Sequence, residues 1–578
     1  MAVTRSFPTR DIFRRRLGSL ADPVVILGVL ATLAILARLA SGVTAPFNEL
    51  HPPAVSLDAR NLPYYAARSL LRMFIALGAS TLFTLIYGTL AARSRRAERV
   101  LVPLLDVLQS VPILGFLSIT VTGFIALFPG SLLGLECASI FAIFTSQAWN
   151  MTFSYYHSLI TQPRDQAEMA ALYRLSGWQR FTTIDLPNGM IGLVWNGMMS
   201  FGGGWFFLVA SEAISVLNKK YTLPGIGSYL GAAVDAQDFR HLFLALITMI
   251  VMIVAVDRLF WRPLVAWAEK FKNEESAGTD RVQSGVLNLW RRAHLVALVR
   301  RGLAPVWEGL DRLLRPFGRP RAAENAHRRR TRIIDMTYNG ILLLGVALLA
   351  VRVGVFVVHD VGVGEVFTAL GLGLLTFLRV LALIVFAAAV WTPIGVWIGF
   401  NPRVSRLAQP IVQILASFPA NFLFPFVTIF FIHTRISLNY GAPLLMALGA
   451  QWYILFNSIA GAMAIPNDLK EATRNFGIHG WTLWRTLILP GIFPAWVTGA
   501  ITASGGAWNA SIVAEIVSWG NTTLHATGLG AYIADATTTG DWPRIALGIG
   551  VMVLYVVGLN RLVWRRLYQL AEAKYTLG

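Results

Sequence analysis

Charge is scarce in this 578-residue chain: 14% of its residues are Asp, Glu, Lys or Arg, and 55% are apolar. Soluble domains carry about 25% charged residues, and with a mean hydropathy of +0.59 the balance excludes an ordinary soluble protein. Cysteine is nearly absent. The single Cys137 lies in an apolar stretch, which excludes an intrachain disulfide and a cysteine metal site and leaves a small hydrophobe. No Gly-x4-Gly-Lys-Ser/Thr stretch occurs, so the chain lacks that route to a nucleotide phosphate. The nine histidines show no His-x3-His or His-Glu-x2-His spacing, and the acids form no nucleophile-and-base cluster. No catalytic residue, metal site or cofactor is expected.

What charge there is has a strong sign bias, +19 net, and it is clumped at Arg5 to Arg16, Arg93 to Arg99, and Arg262 to Arg332. Basic clusters beside apolar spans mark cytoplasmic faces, so the charge is read as topology and no nucleic-acid partner is expected. Spans need about 20 apolar residues. Candidates run over roughly 22–42, 67–92, 104–128, 131–157, 189–214 and 241–262, then 335–358, 368–399, 408–432, 441–463, 491–517 and 543–563. The expected fold is an all-α polytopic membrane protein of about twelve helices, with both termini cytoplasmic. The expected divisions are an N-terminal segment, first helix and outer loop (1–64), a first core (65–262), a basic cytoplasmic linker (263–334) and a second core (335–578). Residues 286–314 of the linker place apolar residues at helical spacing. They suit an amphipathic helix on the inner membrane surface, or a solvated connector.

The two halves repeat. A shift of 303 aligns Trp149 with Trp452, Pro163 with Pro466, Glu168 with Glu471, Gly177 with Gly480, Trp178 with Trp481 and Pro187 with Pro490. The same shift aligns Gly202, Gly203, Trp205, Glu212 and Asp238 with Gly505, Gly506, Trp508, Glu515 and Asp541. Upstream the shift is 307, aligning Arg72 with Arg379, Gly88 with Gly395 and Ser110-Val-Pro112 with Ser417-Phe-Pro419. So many Gly, Trp, Pro and charge matches mark a duplicated six-helix unit, and six spans per unit make the copies parallel. Between spans four and five each copy carries a polar segment, too long for a passive connector and expected on the cytoplasmic face.

That polar segment resembles the coupling loop of ABC-importer permeases, whose pattern is Glu-Ala-Ala, Gly, then Ile-x-Leu-Pro. The second copy keeps Glu471, Ala472, Gly477, Leu489 and Pro490, with Leu487 for the isoleucine. The first keeps Glu168, Ala170, Ile184, Leu186 and Pro187, with Arg174 where the glycine belongs. Residues 69–92 and 205–215 are similar to the nitrate/sulfonate/taurine/bicarbonate subfamily. The resemblance implies two fused type I permease units in a bacterial inner membrane, importing a small anion such as nitrate, a sulfonate or bicarbonate. It implies two cytoplasmic ATPase subunits, which would hold ATP and Mg, and a periplasmic solute-binding protein. It assigns ATPase coupling to Glu168, Ala170, Arg174, Gly177, Trp178, Pro187, Glu471, Ala472, Gly477, Gly480, Trp481 and Pro490.

Other residues are singled out by position. Gly202, Gly203, Trp205, Gly505, Gly506, Trp508 and Asn509 lie on the fifth spans and suit a translocation path or gate, or plain close packing. Glu212 and Glu515 are charges at the far ends of those spans, where Arg72 and Arg379 open the second spans. Ion pairs Arg72–Glu212 and Arg379–Glu515, or their cross-half equivalents, are expected as tethers at the outer end. The alternative is a major-facilitator-like secondary transporter, with the same helix count and a basic central loop. Its post-span-two motif is only imitated by residues 88–96, where Ala92 replaces the acid and Ser94 the glycine.

Overall fold

A computed structural model describes residues 55–216, 219–271, 285–292, 294–314 and 351–574, with isolated positions between 23 and 46 and between 340 and 349. The first half runs α1 (Leu62–Arg93), α2 (Arg95–Ser110), α3 (Ile113–Leu127), α4 (Leu133–Ile160), α5 (Arg164–Leu172), α6 (Gly177–Arg180) and α7 (Leu186–Glu212). A short hairpin follows, β1 (Ala213–Val216) with β2 (Lys219–Thr222), then α8 (Ile226–Asp235), α9 (Phe239–Val256) and α10 (Arg262–Ala268). The linker holds α11 (Gly285–Arg292) and α12 (His294–Leu314). The second half runs α13 (Val363–Phe400), α14 (Pro402–Ser417), α15 (Phe424–Thr434), α16 (Leu438–Ala464), α17 (Asn467–Asn475), α18 (Gly480–Leu483) and α19 (Leu489–Ala514). It closes with β3 (Ile516–Trp519), β4 (Thr522–His525), α20 (Leu529–Thr539), α21 (Trp542–Leu559) and α22 (Arg565–Lys574).

The repeat extends to details of backbone winding. One wide π-turn covers Phe181–Asp185 and another Trp484–Ile488, each ahead of a Leu-Pro pair; a second matched pair covers Asp257–Trp261 and Asn560–Trp564. Both pairs keep the 303 shift. The hairpins are also in register: Ala213 pairs with Thr222, and Ile516 with His525. Asp238 and Asp541 match because each caps the helix behind it. Asp238 Oδ1 accepts from Arg240 N at 2.9 Å, and Asp541 Oδ1 from Arg544 N at 3.2 Å.

Eight helices among the described residues are long and apolar enough to cross a membrane, or nine if one bent pair is a single span. That bears out an all-α polytopic protein and leaves the count of twelve unmatched. The expected span 22–42 lies largely outside the described residues. The expected third span, 104–128, is not one rod: α2 and α3 meet at 99°. The cause is local. A proline disfavours helical backbone in the residue before it, and Val111 ahead of Pro112 is extended, at φ −77° and ψ 125°. Phe418 ahead of Pro419 takes φ −74° and ψ 124°, so the second copy, expected at 408–432, breaks at the same place. The fourth span, α4, carries Glu136, Gln147 and Asn150 and falls short of the same apolarity.

Two compact units divide the chain. One comprises Met1–Val43, Ser154–Asn196 and Ala255–Asn325; the other comprises Thr44–Phe153, Gly197–Val254 and Ala326–Gly578. In the first, the end of α4 packs on the start of α7. A Cβ on Gly189 would come within 2.5 Å of the Tyr155 ring, and Asn188 Nδ2 donates to Ser158 O at 2.8 Å. In the second, one apolar core draws on both halves, from Ile113, Leu117 and Ala142 through Leu383, Met446 and Trp508 to Met552.

Candidate functional site

The two polar loops fold alike. Each begins immediately after its proline, Pro163 or Pro466, which sits extended ahead of α5 or α17. Each helix ends in the same reversal. Leu175 N donates to Ala170 O at 3.1 Å, and Ile478 N to Thr473 O at 2.9 Å, the long-range bond of a Schellman motif. This motif needs a left-handed residue. Gly477 supplies it at φ +65°, and Arg174 takes φ +48° in the same place. The arginine therefore keeps the turn at a steric cost of roughly 1–2 kcal/mol.

Each loop is helical in two pieces, broken at 173–176 and at 476–479, just ahead of Gly177 and Gly480. The second pieces are capped differently. Ser176 Oγ accepts from Gln179 N and Gln179 Oε1 from Ser176 N, a full capping box. His479 offers no side-chain cap, and Gly480 turns the chain at φ +60° instead.

Glu168 and Glu471 are exposed, whereas Ala170 is buried beneath its helix. Two aromatic residues escaped the sequence reading. Tyr173 is 70% exposed and Phe476, its repeat partner, 81% exposed, each at the tip of its loop. The signal available was an aromatic at matched positions beside the turn. Trp481 is 72% exposed, while Trp178 is partly covered. Lys470 lies along the inner side of α17 with Nζ 4.9 Å from the Phe400 ring. That partial burial pulls its pKa below the usual lysine value.

At the C-terminal ends of α7 and α19 the charges meet within their own halves. Arg72 Nη1 lies 2.6 Å from Glu212 Oε1, and Arg379 Nη1 2.7 Å from Glu515 Oε1. Each glutamate also caps a helix: Glu212 Oε2 accepts from Gly227 N at 2.7 Å, and Glu515 Oε2 from Ala531 N at 3.1 Å. A hydroxyl completes each cradle. Ser69 Oγ donates to Glu212 and accepts from Ile226 N; Thr376 Oγ1 donates to Glu515 and accepts from Leu529 N. Gly225 and Gly528 leave room for the carboxylates, since a Cβ on either would lie 2.3 Å from a carboxylate oxygen or carbon.

The first cluster contains a second ion pair that sequence reasoning missed. Glu136 binds both Arg68 and Arg72, with Arg72 Nε 2.6 Å from Oε2. On the repeat, Glu136 falls on Asn439 and Arg68 on Leu375, and Asn439 Oδ1 accepts from Arg379 Nη2 at 3.0 Å. Acid and base are gained or lost together, so each cluster is neutral. An unpaired buried charge is what the arrangement avoids.

Along the seam between the halves, Gly202 and Gly203 allow close approach. A Cβ on Gly202 would meet Ser417 Oγ at 2.6 Å, and one on Gly203 would meet Tyr453 Oη at 3.3 Å. Gly505 faces open space and Gly506 ordinary contacts. Asn509 Oδ1 accepts from Ile113 N at 2.8 Å, at the start of the broken helix α3, and Asn421 Nδ2 reciprocates by donating to Phe206 O at 3.3 Å. Trp205 and Trp508 are 1% exposed. Their rings are packed, Trp205 against Phe201 and Trp508 near Tyr555. Among the described residues no group of three His, Cys, Asp or Glu could hold a metal.

This is the architecture of a duplicated transport permease. The model of the binding-protein-dependent transport system inner membrane component matches twice, over residues 84–260 and 391–567, more than half of the chain. The chain belongs to that family and carries two of its domains, so the secondary-transporter alternative falls. It is similar to the nitrate import permease NrtB of Leptolyngbya laminosa, 27% identical over 31% of this chain and 60% of that one. It is similar to the glycine betaine/proline betaine permease ProW of Escherichia coli, at 24% over 40% of this chain and 66% of that one. The bicarbonate transport permease CmpB of Synechococcus elongatus is 27% identical over 26% of this chain and 51% of its own length. The chain thus spans between about half and two thirds of each of these relatives.

Proposed function

We propose that this chain carries a small anion, of the nitrate, sulfonate or bicarbonate kind, inward across a bacterial inner membrane, driven by two separate ATPase subunits. The observation that carries the coupling reading is the pair of matched loops. Each presents an exposed glutamate and an exposed aromatic tip on a rigid Schellman turn. Large exposed apolar groups on a fixed turn suit a protein partner. Each loop runs through its π-turn into α7 or α19, the helices that carry the seam residues. Movement of a seated ATPase would pass along those helices to the seam, where two halves rock about a central site. ATP and Mg would reside on the ATPases, a periplasmic binding protein would deliver the anion, and both termini would face the cytoplasm with the coupling loops.

The anion class rests on the names of the nitrate and bicarbonate relatives. The betaine relative makes a zwitterion the competing cargo. Proteoliposomes holding the chain with its ATPases test both points. Binding-protein-dependent ATP hydrolysis stimulated by nitrate, taurine or bicarbonate is the expected result. Stimulation by betaine alone would remove the anion assignment, and hydrolysis indifferent to every solute would remove the importer reading.

A further inference from the structure

The linker helix α12 lies in the same compact unit as the first coupling loop. Trp178, opening the second piece of that loop, donates from Nε1 to Asp311 Oδ1 of α12 at 3.0 Å. The ring also lies 5.6 Å from that of Phe181, where the π-turn begins. The indole is thus held along its edge by the linker and beside its own helix by an aromatic neighbour. The repeat partner Trp481 is 72% exposed and makes no hydrogen bond among the described residues. One matched tryptophan is anchored and the other is bare.

The anchor changes what the first loop can present. Asp311 is half-buried, while the neighbouring positions Glu308, Arg312 and Leu313 are exposed, as is Val306 two turns before Leu313. The outer side of α12 therefore carries two apolar groups between charges of both signs, and it is joined through Trp178 to the loop that exposes Tyr173 and Leu172. A charged acceptor on an indole N–H makes a stronger bond than a neutral one.

We propose that α12 is a fixed part of the first half's ATPase-docking surface, with Asp311 as the positioning residue that seats it on Trp178, so that the two ATPase stations differ: the first is composite, the second is loop alone. This rests on the ATPase-coupling reading above. The occupant is the ATPase subunit on the first loop, because α12 continues the surface on which that subunit would sit. A linker that only tied the halves together would not need to be fastened to one coupling loop.

The test uses the full chain co-expressed with its ATPase partner and read by native mass and by ATP hydrolysis. Asp311→Ala and Trp178→Phe, which keeps the ring and loses the N–H, are each expected to turn a two-ATPase complex into one dominated by a single ATPase. The double variant should fall short of the sum of the two single ones, since both remove the same bond. Asp311→Asn retains an acceptor oxygen and should restore the second ATPase. The ATPase still held on the second loop reports that the variant chain is folded. Full two-ATPase occupancy and unchanged hydrolysis in Asp311→Ala would overturn the proposal. So would equal loss of both ATPases, or additive effects in the double variant. If the unaltered chain binds no ATPase, it is the coupling reading itself that fails.

Discussion

Single residues in this protein are best understood in pairs 303 or 307 positions apart. The Glu136–Arg68 pair of the first half is replaced by Asn439 and Leu375 in the second, which supplies a compensated substitution ready-made. Glu136→Asn or Arg68→Leu alone strands a buried charge and should cost about 3–5 kcal/mol. The double variant should recover most of that loss, measured as the thermal midpoint in detergent. Failure of the double to recover would show that the cluster is not balanced by charge. The turn residues give a second contrast. Gly477→Ala forces a side chain into a left-handed backbone with no steric neighbour, so its cost is conformational, roughly 1–2 kcal/mol. Arg174→Gly should leave the turn intact. Hydrogen exchange at Ile478 N and Leu175 N, the amides that close the two turns, reads both outcomes. The Arg72–Glu212 and Arg379–Glu515 pairs were legible because each glutamate recurs at the end of an apolar run. Arg68 and Glu136 were not, because neither recurs, and a search for repeats passes over what one copy lacks.

At the scale of elements, the helices that frame the two polar loops were readable from proline and glycine, and the break in the third span only partly. Prolines flagged that span as irregular, but a sliding apolar count cannot see that Val111 and Phe418 are driven extended by the residue that follows them. The π-turns were invisible for a similar reason: a widened turn keeps the same apolar face and changes only the winding. Two predictions belong here. Tyr173→Ala and Phe476→Ala remove exposed rings, so they should leave thermal stability within about 0.5 kcal/mol while reducing ATP hydrolysis coupled to transport. A large fall in stability would mean the rings pack rather than dock. Helix α9 begins at Asp238, whose carboxylate is held below the usual range by bonds from the His241 side chain and from backbone N–H groups. A depressed carboxylate pKa adds stability above the ordinary aspartate range and loses it as pH falls through the folded value. The start of α9 should therefore fray on acidification, seen as faster amide exchange at Arg240 and His241, and Asp238→Ala should abolish that pH dependence.

For the whole molecule, the sequence already contained the main architectural fact, because a duplication in parallel orientation leaves residue-level echoes that no single fold signal could mimic. It did not contain the asymmetry. Gly202 is pressed against Ser417 while Gly505 faces open space, and Trp178 is anchored while Trp481 is bare. Identical letters at matched positions sit in different surroundings: Ser417, against Gly202, has a repeat partner in Ser110, whereas the linker helix that holds Trp178 has none. The halves have diverged in their contacts while keeping two loops of one shape, and the proposed function gives each loop an ATPase partner. The native mass of the complex, purified gently from its own host through a tag on this chain, addresses this most directly. One copy of the chain with two ATPase copies is the expected result. The chain emerging alone, under detergent that preserves other transport complexes, would contradict the coupling of this permease to ATP.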